Sequence, residues 1–170
     1  VLDLWHWNDA RLQPQQRLEA ARDRGRAWTA VYTLADRRWV RLGNDSLSRV
    51  VVSDDGRTAL ALRDLPYAVS QMWGEGGADV LVLDARTGRR TVVATRVPGA
   101  AQLSPSGRWV TWFADGRWRA YDVRGARTVD LTGALKGVDF SQADTWDTPS
   151  VPPAWGSAGW SDGERSFLVY

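Results

Sequence analysis

The sequence predicts an all-β fold: part of a β-propeller of four-stranded antiparallel blades, with one short helical insertion. Three observations carry this expectation. A serine-to-glycine turn that opens an apolar strand recurs along the chain. A second strand that runs into an Asp-to-Gly turn recurs behind it. Eleven of the 170 residues are tryptophan, against three phenylalanines and one methionine. Self-similarity at a spacing of roughly 50 residues marks a repeat architecture. A tryptophan buries roughly 150 to 250 Å² and asks for a partner for its indole N–H, and large flat rings suit sheet-on-sheet packing.

The turn Ser53-Asp54-Asp55-Gly56-Arg57, followed by Thr58-Ala59-Leu60-Ala61-Leu62, returns as Ser104-Pro105-Ser106-Gly107-Arg108 before Trp109-Val110-Thr111-Trp112-Phe113. A third copy, one residue shorter, reads Ser161-Asp162-Gly163-Glu164-Arg165 before Ser166-Phe167-Leu168-Val169-Tyr170. Ser, Asp and Pro fit early turn positions, Gly supplies positive φ, and the run that follows reads as a buried strand. The second element is Val80-Leu81-Val82-Leu83-Asp84-Ala85-Arg86-Thr87-Gly88, matched by Trp118-Arg119-Ala120-Tyr121-Asp122-Val123-Arg124-Gly125.

Taken in chain order, residues 1–7 fit the second strand of a blade, 27–34 the third and 39–42 the fourth. One whole unit has strands near 49–52, 57–63, 79–83 and 89–95. The next has them at 99–103, 108–113, 117–121 and 126–131. A final unit begins near Gly156 and stops after its second strand. Residues 1–170 therefore read as a segment of a single propeller domain, about three blade-equivalents, incomplete at both ends. Propellers close with roughly four to eight blades, so the expectation is a piece of a longer chain. Its open strand edges should make it self-associate or leave it marginally stable.

Charge and composition exclude several classes. Of 22 basic residues all but Lys136 are arginine, set against 20 acidic residues for a net charge of +2. They are interspersed rather than gathered in a stripe, which is surface pairing and not a nucleic-acid footprint. No apolar run approaches the roughly 20 residues of a membrane span. Zero cysteines and the single histidine, His6, leave no thiolate chemistry and no multi-histidine metal site. No cofactor motif is present.

Turns 35–38, 53–56, 84–88, 104–107, 122–126 and 161–164 are short and belong to one face, whereas 8–26, 64–78 and 132–155 are long and belong to the other. Insertions gathered on one face point to business there with another molecule or domain. In the first, Pro14 opens a helix, residues 15–24 sustain it and Gly25 ends it. Only Leu12, Leu18 and Ala21 offer it apolar anchorage. The second is a glycine-hinged loop that carries Tyr67, Met72 and Trp73. The third carries Trp146 and a proline-stiffened path, Pro149, Pro152 and Pro153, that ends at Trp155. These five aromatic and thioether side chains are the candidates for substrate or domain contact. Catalytic candidates are lacking: Gly156-Ser157-Ala158-Gly159 has the wrong spacing for a nucleophile elbow, and His6 lies between Trp5 and Trp7 on an expected strand. Asp144 and Asp147 fit turn and capping roles.

Leu4-Trp5-His6-Trp7 with Leu12-Gln13-Pro14-Gln15-Gln16, and Asp147-Thr148-Pro149 with Pro152-Pro153 and Ala158-Gly159-Trp160, resemble the propeller domain of bacterial serine peptidases of the prolyl oligopeptidase family, of the dipeptidyl or acylaminoacyl peptidase kind. The resemblance covers nearly the whole chain; Trp155 departs from it where such relatives often carry tyrosine. It implies a non-catalytic propeller that gates peptide substrate for a C-terminal α/β-hydrolase domain of the same chain, with the catalytic triad beyond these residues. It also implies an exported, periplasmic or secreted, protein. The other reading open at this point is a stand-alone binding propeller, a scaffold for protein or glycan partners.

Overall fold

A computed structural model describes His6, Asp9 and residues 11–148 and 150–170. Apart from His6, the strand expected over residues 1–7 lies outside the described residues, as does Pro149. The described chain is mostly β, 37% strand and 16% helix, arranged in four antiparallel sheets. A hairpin of β1 (Ala30–Thr33) and β2 (Arg38–Arg41) comes first. Two four-stranded meanders follow: β3 (Arg49–Val52), β4 (Thr58–Arg63), β5 (Ala78–Asp84) and β6 (Arg90–Val97), then β7 (Gln102–Leu103), β8 (Trp109–Ala114), β9 (Arg117–Asp122) and β10 (Arg127–Asp130). A last hairpin pairs β11 (Ser157–Trp160) with β12 (Phe167–Val169). The expected strand at 99–103 is reduced to two residues.

The sheets stack face to face in chain order, because strand alternation sends apolar side chains to both faces of the central strands. Ala59 and Ala61 of β4, with Leu81 and Leu83 of β5, pack on Val31 and Val40 of the first hairpin. From the same two strands Leu60, Leu62, Val80 and Val82 face the other way, onto Val110, Trp112 and Ala114 of β8. The far side of the second meander presents Phe113 and Trp118 to Phe167 and Val169 of β12, with Phe140 from the connection between β10 and β11. Continuous apolar runs such as Val80-Leu81-Val82-Leu83 are thus strands buried on both faces.

Tryptophan contributes less to this core than its abundance suggests. Among the described residues only Trp112 and Trp118 are buried tryptophans, and the rest of the core is chiefly Leu, Val and Ala. Trp118 instead belongs to an aromatic seam between the last two sheets: its ring centroid lies 5.5 Å from Phe113 and 5.2 Å from Phe167, which in turn sits 5.2 Å from Trp160. The indole N–H groups of Trp118 and Trp160 find no hydrogen-bond partner among the described residues.

The recurring turns share one hydrogen-bond plan. In each, the serine Oγ accepts from the backbone N–H five residues on: Thr58 to Ser53 at 3.1 Å, Trp109 to Ser104 at 3.0 Å and Ser166 to Ser161 at 3.0 Å. The third turn is therefore the same length as the others, contrary to the one-residue deletion inferred from its glycine. Gly56 and Gly107 close their turns at positive φ, and in the third turn Glu164 takes that place at φ 55°. Its carboxylate accepts hydrogen bonds from Ser104 Oγ at 3.0 Å, Ser106 N at 2.5 Å and Ser106 Oγ at 2.6 Å. Asp54 N donates to the Pro105 carbonyl at 2.9 Å. Neighbouring sheets are thereby pinned turn to turn along one edge of the stack.

The first insertion is the expected helix, α1 (Gln13–Arg24), with Pro14 in its first turn and Gly25 at its C-cap. It buries no residue. Arg11 reaches Glu19 at 2.9 Å and Asp23 at 3.0 Å, so ion pairs rather than apolar contact order this segment.

Gly56 and Gly107 give a paired test. A Cβ on Gly56 meets nothing within 4 Å, whereas one on Gly107 would lie 2.7 Å from Thr58 Cβ and 2.8 Å from Ser53 Cβ in the adjoining turn. Gly56→Ala should cost about 1 to 2 kcal/mol for positive φ alone. Gly107→Ala should cost about 1 to 3 kcal/mol more, from overpacking between the sheets. Urea denaturation of the two variants measures the difference; equal losses would contradict the close approach of the turns.

Candidate functional site

The long-connection edge is built around one carboxylate. Asp79, the second residue of β5, lies directly opposite Arg63, which ends β4. A bulge in β6 leaves Asp79 facing two residues, because Ala78 pairs with Val97 and Val80 with Ala94. The extra residue is absorbed with Arg96 at φ 48°, and its N–H donates to Asp79 Oδ1 at 3.2 Å. Arg63 donates to Oδ2 from Nε at 3.1 Å and Nη2 at 2.6 Å, and the Tyr67 hydroxyl donates to Oδ1 at 2.5 Å. Asp79 is 3% exposed. Burial alone would raise its pKa. The Tyr67 hydroxyl, the Arg63 guanidinium and the Arg96 N–H outweigh that, so the carboxyl is held below its ordinary range. The same hydrogen bond to the carboxylate, then burial and the negative charge, push the Tyr67 phenol up.

Asp79 is consequently an anchor and not a proton-transfer group. Through Tyr67 it fixes the connection between β4 and β5, which was expected as a glycine-hinged loop and instead forms a 3-10 turn, Leu65–Tyr67, continued by a short helix α2, Ala68–Gln71. Arg96 closes the other end. Its guanidinium lies 5.8 Å from the Tyr67 ring and donates to the Glu75 carbonyl at 3.1 Å. Held at both ends, the connection projects Trp73, 78% exposed, and half-exposed Met72.

An open groove lies on each side of this arm. One, about 380 Å³, separates it from α1 and is lined by Leu12, Leu65, Ala68 and Met72, with Arg22 and Asp64 among the polar residues. The other, about 350 Å³, is lined by Gly74, Gly76, Trp146, Val151 and Pro153, with Pro98 from the connection between β6 and β7. There the second and third long connections meet, and a Cβ on Gly74 would touch Ser150 at 3.7 Å. The Trp146 indole N–H donates to Ser150 O at 3.0 Å and is also within 3.1 Å of Ser150 Oγ.

The five candidates therefore divide. Tyr67 turns inward to Asp79, Met72 and Trp146 line different grooves, and Trp73 stands out between them. Trp155 lines neither groove, although its N–H is tied to the Phe140 carbonyl at 3.0 Å. Asp79 escaped the sequence reading. Its signal was a lone carboxylate heading the apolar run Val80-Leu81-Val82-Leu83, with Arg63 closing the preceding strand. Among the described residues no cluster of three or more His, Cys, Asp or Glu is placed to hold a metal ion, and no helix is long and apolar enough to cross a membrane. No protein-family model and no curated protein matches the chain.

Asp79→Asn should lose about 1 to 3 kcal/mol of stability near neutral pH, because it leaves the Arg63 guanidinium and the bulge N–H without a charged acceptor. The carboxyl is depressed in the folded state, so its contribution is complete above the ordinary aspartate value of 3.8 and is lost as pH falls through the lower folded value. Denaturant titrations of both proteins from neutral pH into acid should show the gap between them closing below about pH 4. A gap independent of pH would contradict the anchoring role.

Proposed function

We propose that this chain is a segment of a β-propeller that serves as the non-catalytic gating domain of a serine peptidase resembling the prolyl oligopeptidase family. Four antiparallel sheets that follow one another face to face in chain order, each central one covered on both sides, support the propeller reading. The observation that carries the functional step is the asymmetry between the two edges. One edge consists of short turns hydrogen-bonded to each other, with open clefts of about 670 and 470 Å³ between them but no long connection projecting over them. The other presents the anchored arm, Met72 and Trp73 and two open grooves. Such an edge is suited to face a partner domain or a peptide, and the mechanism is exclusion and positioning: a stiff frame admits short chains and orients them before chemistry elsewhere. The arm also fits a binding propeller for protein or glycan partners, since an exposed tryptophan on a fixed support is a common contact anchor.

Two measurements separate these readings. The coding sequence past Tyr170 should supply a G-x-S-x-G turn between a strand and a helix within roughly 200 to 350 residues; its absence leaves the binding propeller. The full protein should cleave short fluorogenic peptides and spare long ones, with Trp73→Ala changing KM more than kcat. The 170 residues alone should hydrolyse neither peptide nor ester reporters, and turnover lost on replacing Ser157 or His6 would overturn the non-catalytic assignment.

A further inference from the structure

The joint between the two four-stranded meanders opens, at the short-turn edge, into a cleft of about 470 Å³. Its walls come from those two sheets and their turns alone: Arg57, Thr58, Arg89 and Thr91 of the first, Tyr121 and Val123 of the second. The preceding joint shows what closes such a place. The hairpins of β1 with β2, β5 with β6 and β9 with β10 each turn over four residues, so Val40 matches Thr91, Gly88 matches Ala126, and Asp36 matches Thr87.

Between the first hairpin and the first meander, Val40 fills the joint: a Cβ on Gly88 would lie 3.1 Å from its Cγ1. Asp36 pairs with Arg86 across the same two turns at 3.3 Å. Between the meanders Thr91 and Ala126 line the cleft instead. Thr87 is turned into its own hairpin, where Oγ1 accepts from Arg89 N at 3.2 Å. Arg124, in the place of Arg86, makes no ion pair among the described residues. With neither contact repeated, the two turns stand apart.

Hydrogen-bond donors dominate the lining. The Arg89 guanidinium makes no ion pair or hydrogen bond among the described residues, and Arg57 reaches only Asp55, from Nε at 3.9 Å, which leaves both of its Nη groups unclaimed. The hydroxyls of Thr58, Thr91 and Tyr121 hydrogen-bond to no described residue. Asp84 is the one carboxylate among the described lining residues, and its Oδ1 already accepts from Arg86 N at 2.9 Å and Thr87 N at 3.0 Å. Val82 and Val123, from the apolar cluster between the meanders, supply the apolar surface. Two forked guanidinium groups beside apolar surface select a planar anionic acceptor on an apolar body. The volume falls within the roughly 300 to 1,000 Å³ of small-molecule sites.

We infer that this cleft binds a small organic carboxylate, its charge held by Arg57 and Arg89 and its apolar body against Val82 and Val123. The site lies on the edge opposite the anchored arm and is independent of the peptidase reading.

Benzoate is the probe, with benzamide as its neutral counterpart of similar shape and inorganic phosphate as an anion without an apolar body. Calorimetric titration of the full protein should show benzoate binding roughly tenfold or more tightly than either, because only benzoate meets both the guanidinium groups and the apolar surface. Methyl spectra should shift at Val82 and Val123 and stay unmoved at Val151, in the groove of the other edge. Arg57→Gln and Arg89→Gln should each weaken benzoate roughly tenfold or more by removing a charge-assisted hydrogen bond. Arg127→Gln, which alters the arginine in the place of Arg89 in the next hairpin and outside the cleft, should leave its affinity unchanged. All three arginines are exposed, so thermal melts of the variants should match the parent.

Absence of benzoate binding overturns the inference. So does benzamide or phosphate binding as tightly as benzoate, a loss on Arg127→Gln equal to that on Arg89→Gln, or shifts confined to Val151. A gene without a downstream serine hydrolase would end the peptidase reading and leave the benzoate result as it stands.

Discussion

Burial of both faces of the same strands is the constraint on which the rest of this structure depends. A sheet in water usually has one face to cover; here β4, β5 and β8 have two, and neither can be satisfied within its own sheet. Leu60, Leu62, Val80 and Val82 have meaning only against Val110 and Trp112, and Leu81 and Leu83 only against Val31 and Val40. Each sheet is thus a structural context for the next, and the stack is cooperative by construction, as in other repeat proteins.

Two polar devices order the stack, one between sheets at the short-turn edge and one within the first meander at the other. On the short-turn edge the serine hydroxyls organise each turn internally, and Glu164 and the Asp54 N–H bind one turn to its neighbour. Glu164 accepts a left-handed backbone where its counterparts are glycine, and the three hydrogen bonds to its carboxylate offset that strain. On the opposite edge Asp79 does a different job. It joins the end of β4, the bulge in β6 and the ring of Tyr67, so a connection of irregular backbone becomes a fixed projection. The first edge stabilises the stack, and the second gives it a surface to work with.

Much of the strand order was legible because turns announce themselves. Ser53 to Gly56 and Ser104 to Gly107 place the strands that follow them to within a residue, and Pro14 and Gly25 bracket α1. The third turn misled on length because glycine was taken as its marker, while the hydrogen bond from the residue five positions after the serine defines it. Tryptophan count overstated the aromatic core, since a ring rich in surface can serve at an edge, as Trp73 and Trp39 do. The Asp79 hub was invisible for a further reason. A buried carboxylate is recognised by its donors, and Arg63, Tyr67 and Arg96 converge on it only after a strand pairing and a bulge that no local pattern encodes.

Native-state hydrogen exchange across β4, β5, β8 and β9 measures the coupling between sheets directly. Shared burial of Leu60, Leu62, Val110 and Trp112 predicts that the slowest amides of both meanders open together, with one free energy and one denaturant dependence. Separate opening of the two meanders, at different free energies and with the β4 and β5 amides unmoved by Trp112→Ala, would contradict the account.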